Sequence, residues 1–282
     1  MAITVASQKI WHKAYEHALQ TITSLRNHCD FKYERDSKNA DTVYILNAVR
    51  PTVRTYVPGT DLSRDAVDAT RQALEINQFK YFNIEMDDVY KAQTVPGALE
   101  AAALEGARAL SEEGDKYVAS LVKAGVEDSS IDSVAKFTPT KSNAIEGVES
   151  AFEILYTNNC KVTDDYWLEI SPKYFKFLRP AVTELLTNNV ELAKKGVVGT
   201  YANAKVTIEN LLPTGKSSGS LSDDDTVYNI LRTSHAIAFV EQIKETNAYR
   251  PEAAFSDAIK SLYGYGAKVV RPDEIAVIKT TI

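Results

Sequence analysis

The chain has 282 residues, 44% of them apolar and 25% charged, and 38 acidic against 32 basic side chains give it a net charge of −6. A chain of this size can bury roughly 75% of its unfolded surface, which excludes global disorder. The acidic balance argues against a protein whose main task is gripping nucleic acid.

In chain order, residues 7–26 read as an amphipathic helix, with Trp11, Tyr15, Leu19, Ile22 and Leu25 at three- and four-residue spacing. Residues 42–57 switch to period two (Val43, Ile45, Val49, Val53, Val57), the pattern of a strand, and Pro58-Gly59-Thr60-Asp61 marks a turn. A second strand region follows, in which Leu74, Ile76, Phe82, Ile84 and Met86 share one parity. At about 3.3 Å per residue the 42–57 run would reach roughly 50 Å, as far as the diameter of a compact globule of this length, also about 50 Å. A straight ribbon that long projects from its body. Two strands alone are marginal in water, and exposed edges invite pairing with other chains. The alternative is a hairpin bent back into an ordinary sheet.

Residues 96–124 form the clearest helix, starting at Pro96 with Gly125 as its stop; Gly106 and Gly114 inside it mark close packing or a bend. A helix over 144–157 follows, with Asn143 as cap and Glu146 reaching back. Residues 166–170 read as a strand ended by Ser171-Pro172, 173–187 as a helix, Gly196 and Gly199 as flanks of a turn, and 204–208 as a strand. Residues 213–225 form a loop, 227–232 a strand, 234–243 stay ambiguous, 252–262 look helical, and 267–270 and 275–278 look like closing strands around Arg271-Pro272. Helix, hairpin, long helix and mixed elements in that order make an α+β chain rather than alternating βαβ.

Motifs that carry chemistry are not found. Leu212-Pro213-Thr214-Gly215-Lys216-Ser217 lacks the early glycine of a phosphate-binding loop, since that position is Asn210. Gly264-Tyr265-Gly266 lacks the third glycine of a dinucleotide fingerprint, since that position is Val269. His12, His17, His28 and His235 fall in no paired metal spacing. Asp87-Asp88 and Asp223-Asp224-Asp225 are read as solvated acids before cation ligands. No catalytic, cofactor or metal site is therefore expected. Cys29 and Cys160 are too far apart for a C-x-x-C site and read as reduced thiols. The N-terminus lacks a charged-then-apolar signal pattern and no run reaches the ~20 apolar residues of a membrane span, so folding in a cytoplasm is expected.

Three segments carry a resemblance. Residues 74–89 with Gln93 resemble the strand that leaves the extended loop of many tailed-phage major capsid proteins, and the long helix after it resembles their spine helix. Gly196-Val197-Val198-Gly199-Thr200-Tyr201 through Val206 and Asn210-Leu211-Leu212-Pro213 are similar to the glycine turn and strand of the axial domain. Residues 236–243, Tyr249-Arg250 and Gly264 to Pro272 look like the C-terminal return into the peripheral domain.

The resemblance implies an HK97-like fold: an N-terminal arm at 1–39, an extended loop at 40–81, a peripheral domain at 82–135 plus 251–282, and an axial domain at 136–250. It implies self-association into hexamers and pentamers of an icosahedral virion shell, assembled in a host bacterial cytoplasm. The shell would enclose double-stranded DNA without sequence-specific binding and involve no membrane. Other expected partners are a portal, a scaffolding protein on a separate chain (no further domain precedes the arm) and decoration proteins. An encapsulin-like cargo shell is the alternative. Candidate inter-subunit contacts are Trp11 and Tyr15 on the arm and Arg50, Arg54, Tyr56, Asp61, Arg64, Asp65 and Arg71 on the loop. Some members cross-link through a loop lysine; no lysine lies between Lys38 and Lys80, so a non-covalent shell is expected.

Overall fold

The run from residue 70 to residue 87 supplies strands to two different sheets. In the computed structural model, which describes residues 25–37, 41–47, 53–55, 61, 70–88, 98–161, 165–181, 183–184, 197–215 and 225–281, β1 (Thr42–Asn47) pairs antiparallel with β2 (Thr70–Glu75), Thr42 opposite Glu75. β3 (Gln78–Asp87) pairs instead with β11 (Ser256–Val269), which pairs with β10 (Ile237–Tyr249) in a three-stranded antiparallel sheet. Successive strand side chains point to opposite faces. Leu74 and Ile76 are accordingly buried and Phe82, Ile84 and Met86 half-buried, while Phe79 and Tyr81 are exposed. The strand expected over 42–57 is shorter. Pairing covers Thr42–Asn47, about 20 Å, and residues 53–55 belong to no strand; 48–52 and 56–60 lie outside the described residues.

The third sheet has seven strands in the order β4 (Asp132–Phe137), β12 (Ile275–Thr281), β9 (Thr226–Thr233), β5 (Tyr166–Ile170), β8 (Ala204–Ile208), β7 (Val197–Tyr201) and β6 (Thr183–Glu184). Helices cover both its faces. Ile230, Ile275 and Val277 share a core with Val118, Val122 and Val126 of α1 (Ala98–Glu127), together with Phe239, Tyr263 and Tyr265 of the smaller sheet. Leu231, Ala276 and Ile278 share a second core with α2 (Asn143–Thr157) and α3 (Pro172–Leu178). Covering on both faces explains why all five residues of β5 are buried, without alternation. Sheet membership cuts across the boundaries expected from the resemblance: β10 hydrogen-bonds with β11, and β12 with β9 and β4.

The α1 helix has 30 described residues, about 45 Å of rise. A Cβ on Gly106 would lie 2.9 Å from the Phe82 ring, so α1 crosses β3 closely there, whereas Gly114 has ordinary room, its nearest neighbour at 3.9 Å. Gly125 does not stop the helix. The chain turns at Ser129 (φ 63), with Ser130 N donating to Gly125 O at 2.9 Å and Ser129 N to Val126 O at 3.4 Å, a Schellman closure.

Other expectations are corrected. Asn143 does not cap α2; its Oδ1 accepts from Thr140 N at 2.6 Å and its Nδ2 donates to Thr138 O at 3.0 Å, tying down the preceding loop. The helix expected over 173–187 ends at Leu178, passing through a short 3-10 turn into β6. Of the turn expected between Gly196 and Gly199, Gly196 lies outside the described residues; Val197–Tyr201 is β7 with Gly199 at a bulge, and the turn lies at Ala202 and Asn203, both at positive φ (43 and 70). The ambiguous 234–243 region is a turn followed by β10, and the helix expected over 252–262 is β11. As the middle strand of its sheet, β11 is buried at Ala258, Ile259, Ser261 and Tyr263, although the apolar residues Phe255, Ala258, Ile259 and Leu262 stand at helix-like spacing in the sequence. Of the helix expected over 7–26, residues 7–24 lie outside the described residues, and Arg26–His28 forms a 3-10 turn.

Candidate inter-subunit surfaces

Among the described residues, the β1–β2 pair is anchored from one side only. Ile45, Leu74 and Ile76 pack with Ala238, Val240 and Val270, while Tyr44, on the opposite parity of β1, is 65% exposed. Gly266 makes the approach feasible, because a Cβ there would lie 2.4 Å from Glu75 O and 3.0 Å from Ile76 Cα. Both are backbone atoms that cannot rotate away. Lys268 Nζ donates to Ala73 O at 2.7 Å and Gln72 Nε2 to Val270 O at 3.4 Å. β1 and β2, the strands on either side of residues 48–69, are therefore fixed to the body.

β3 presents a second surface. It is the edge strand of its sheet, with Phe79 54% and Tyr81 76% exposed, and Phe255, in the β10–β11 connection, is 81% exposed. Phe79 and Tyr81 lie two apart on one face of β3, whereas the register places Phe255 beside Asp88 at the other end of that strand. Arg250 pairs with Asp88 beside that connection.

Inside the body, residues 25–30 lie in a polar seam between the sheets. Arg232 on β9, fully buried, donates Nε to Glu169 Oε2 at 3.1 Å and Nη2 to Glu169 Oε1 at 2.8 Å. Its Nη2 also donates to Leu25 O at 2.8 Å. His28 stacks on Trp167 (centroids 3.7 Å apart) with Nδ1 2.9 Å from Glu169 Oε1. On the other side, Arg26 Nη1 lies 2.6 Å from Glu241 Oε1, which also accepts from Tyr263 OH at 2.7 Å. Arg26 N donates to Asp115 Oδ1 on α1 at 3.0 Å. Burial alone would push the Glu169 carboxyl up, but the charges and hydrogen bonds of Arg232 and His28 outweigh it and hold it below the ordinary carboxylate value. Such mutually paired buried ions fasten chain segments and expose no reactive atom.

Of the candidate contact residues, Arg54, Asp61 and Arg71 are exposed, the first two on the loop and Arg71 on β2; the structure brings no two of these three into an ion pair. Trp11, Tyr15, Arg50, Tyr56, Arg64 and Asp65 lie outside the described residues. Sequence reasoning missed the buried seam. Its signal was present: Glu169, Arg232 and Glu241 are lone charges inside strongly apolar strand runs, and such charges are rarely buried unless paired. Phe79, Tyr81 and Phe255 were likewise not singled out.

No protein-family model and no curated protein sequence matches the chain. Solved structures do. A chain of Mycobacterium phage Che8 overlays with a TM-score of 0.71 at 26% identity, over 91% of this chain and 90% of that one. The capsid structure of the cyanophage P-SCSP1u overlays with a TM-score of 0.67 at 15% identity, over 86% and 84%. This chain has the HK97-like capsid fold. Within that fold α1 is the long spine helix and β1–β2 the root of the extended loop. A virus-like particle from Pyrococcus furiosus has the same architecture, with a TM-score of 0.59 at 12% identity over 96% and 99%.

Proposed function

We propose that the chain is the major capsid protein of a tailed bacteriophage, closing as pentamers and hexamers an icosahedral shell around double-stranded DNA. One observation carries this reading: the near end-to-end overlay on the Che8 phage chain, 91% and 90% of the two lengths at 26% identity, which leaves little of either chain for another task. The exposed loop root and the exposed aromatics of β3 and the β10–β11 connection agree with it, since both offer surface for neighbouring copies. Ring closure needs head-to-tail contact between unlike patches, and closure multiplies contacts that are individually weak. The arm (1–39), loop (40–81), peripheral parts (82–135, 251–282) and axial part (136–250) keep these bounds in the proposal, with β10 and β12 as strands that cross between the parts. Portal, scaffold and decoration proteins are the further partners. Among the described residues no helix is long and apolar enough to cross a membrane, and no catalytic role is proposed.

A second reading, an encapsulin-like compartment for protein cargo, is favoured by the coverage of the Pyrococcus particle subunit, 96% and 99%. Nuclease-treated particles purified from infected cells separate the two. Protected double-stranded DNA supports the phage shell; protected protein cargo without DNA overturns it in favour of the compartment.

A further inference from the structure

We propose that α2 and α3 are the two sides of a head-to-tail contact between copies of this chain, the basic face of α3 in one copy docking on the acidic groove beside α2 in the next. The two helices segregate charge by sign. α2 (Asn143–Thr157) has three acids and no base, and Glu146, Glu149 and Glu153 fall at three- and four-residue spacing on its exposed side. α3 with its C-cap (Pro172–Arg179) has three bases and no acid, and Lys173, Lys176 and Arg179 are all exposed. None of the six makes an ion pair among the described residues. α1 behaves differently: its exposed charges pair along the helix, Arg108 with Glu112, Lys116 with Glu113 and Lys123 with Glu127. Charges sorted by sign onto two faces, and unpaired within their own chain, suit complementary docking between copies.

The two faces lie at different ends of one helical layer. Tyr174 OH donates to Ala144 O at 2.6 Å, so α3 meets α2 at its first turn. The acidic groove lies toward the other end of α2, lined by Glu149, Phe152, Glu153, Tyr156 and Thr157 together with Ala202 of the β7–β8 turn. Glu153 stands about 14 Å along the helix from Ala144. The groove is partly apolar: the rings of Phe152 and Tyr156 stack with centroids 5.7 Å apart, and Tyr156 is 39% exposed. α3 offers matching chemistry, since Lys176 Nζ lies 6.0 Å from the ring centre of half-buried Phe177. Unlike patches that meet head to tail generate a ring when the rotation closes. That is the ring geometry of the shell reading, on which this step rests. Exposed ion pairs are individually weak, so the contact chooses register and partner and gains strength by repetition around the ring.

The test reverses each face in the full-length protein: Glu149→Lys/Glu153→Lys on one side, Lys173→Glu/Lys176→Glu on the other. Ring and shell formation are read by sedimentation and electron microscopy, and folding by circular dichroism. Either reversal alone should raise the concentration needed for assembly about tenfold or more. The chain carrying all four changes should assemble again. An equal mixture of the two reversed proteins should close six-membered but not five-membered rings, because alternating copies close only in even numbers. Either reversed protein assembling like the wild type, or a fourfold variant that is not rescued, overturns the contact; a mixture that stops at two-fold pairs overturns its head-to-tail geometry. Should a reversed protein fail to fold, the wild type still decides: its assembly must weaken as salt screens the exposed charges, and assembly indifferent to salt overturns the contact. A wild-type chain that forms neither rings nor shells rejects the shell reading itself, whereas wild-type shells untouched by both reversals reject this contact alone.

Discussion

Replacing Arg232 by Met should be among the most damaging single changes in the body. The guanidinium is fully buried and makes two hydrogen bonds to Glu169 and one to Leu25 O. Met fills much of the volume but leaves the buried Glu169 carboxylate with His28 in place of its cation. Breaking a buried pair from one side costs about 3–5 kcal/mol, which at 2–4 °C per kcal/mol corresponds to roughly 6–20 °C in Tm. Adding Glu169→Leu removes the stranded charge, so Arg232→Met/Glu169→Leu should recover part of the loss and cost about 1–3 kcal/mol, the residue being donors and acceptors left on Leu25 and His28. The assay is urea unfolding of the unassembled subunit followed by tryptophan fluorescence, with Trp167, stacked on His28, beside the mutated site. A single variant that loses less than about 1 kcal/mol, or a double variant less stable than Arg232→Met alone, refutes the reasoning.

Three further outcomes are expected. Acid should loosen the seam: Glu169 titrates below its ordinary value in the folded chain, so its contribution is complete above the ordinary carboxylate range and is lost as pH falls through the lowered value. A urea midpoint that stays flat or rises as pH drops below about 4 contradicts this. Gly266→Val should cost about 1–3 kcal/mol by overpacking against the Glu75 and Ile76 backbone and should raise proteolytic nicking of residues 48–69; wild-type stability and nicking would show that the loop root can shift. Boiled, reduced particles should run as a single band of the 31.2 kDa subunit, because no lysine lies between Lys38 and Lys80; a ladder of linked subunits contradicts the non-covalent shell.

Much of the fold was legible wherever one periodicity ruled alone. The shared parity of Leu74, Ile76, Phe82, Ile84 and Met86 faces inward as read, although it runs through two strands. The break at Asn77 was invisible because both strands keep the same inward side while changing partners. The residues of β5 were a strand on composition alone. By contrast, β11 looked helical because a strand buried on both faces loses its period of two and leaves Ala258, Ile259 and Leu262 at helix-like spacing. Gly125 looked like a stop, yet its role is room: a Cβ there would lie 2.5 Å from Ile131 Cδ1 as the chain turns back. The seam was hidden for a different reason. Arg26, His28, Glu169, Arg232 and Glu241 are far apart along the chain, and local pattern does not tell a buried pair from surface charge. Of the candidate contacts, the exposed arginine and aspartate positions could be named from the loop's composition, but the aromatics of β3 emerge as surface only once β3 is known to be an edge strand.

The container reading is tested most directly by electron microscopy of the purified, full-length protein expressed alone or together with a candidate scaffolding protein. Closed shells of uniform diameter, built of five- and six-membered rings of this chain, are expected. A stable, monodisperse monomer under both conditions, at concentrations where shells should close, would contradict it.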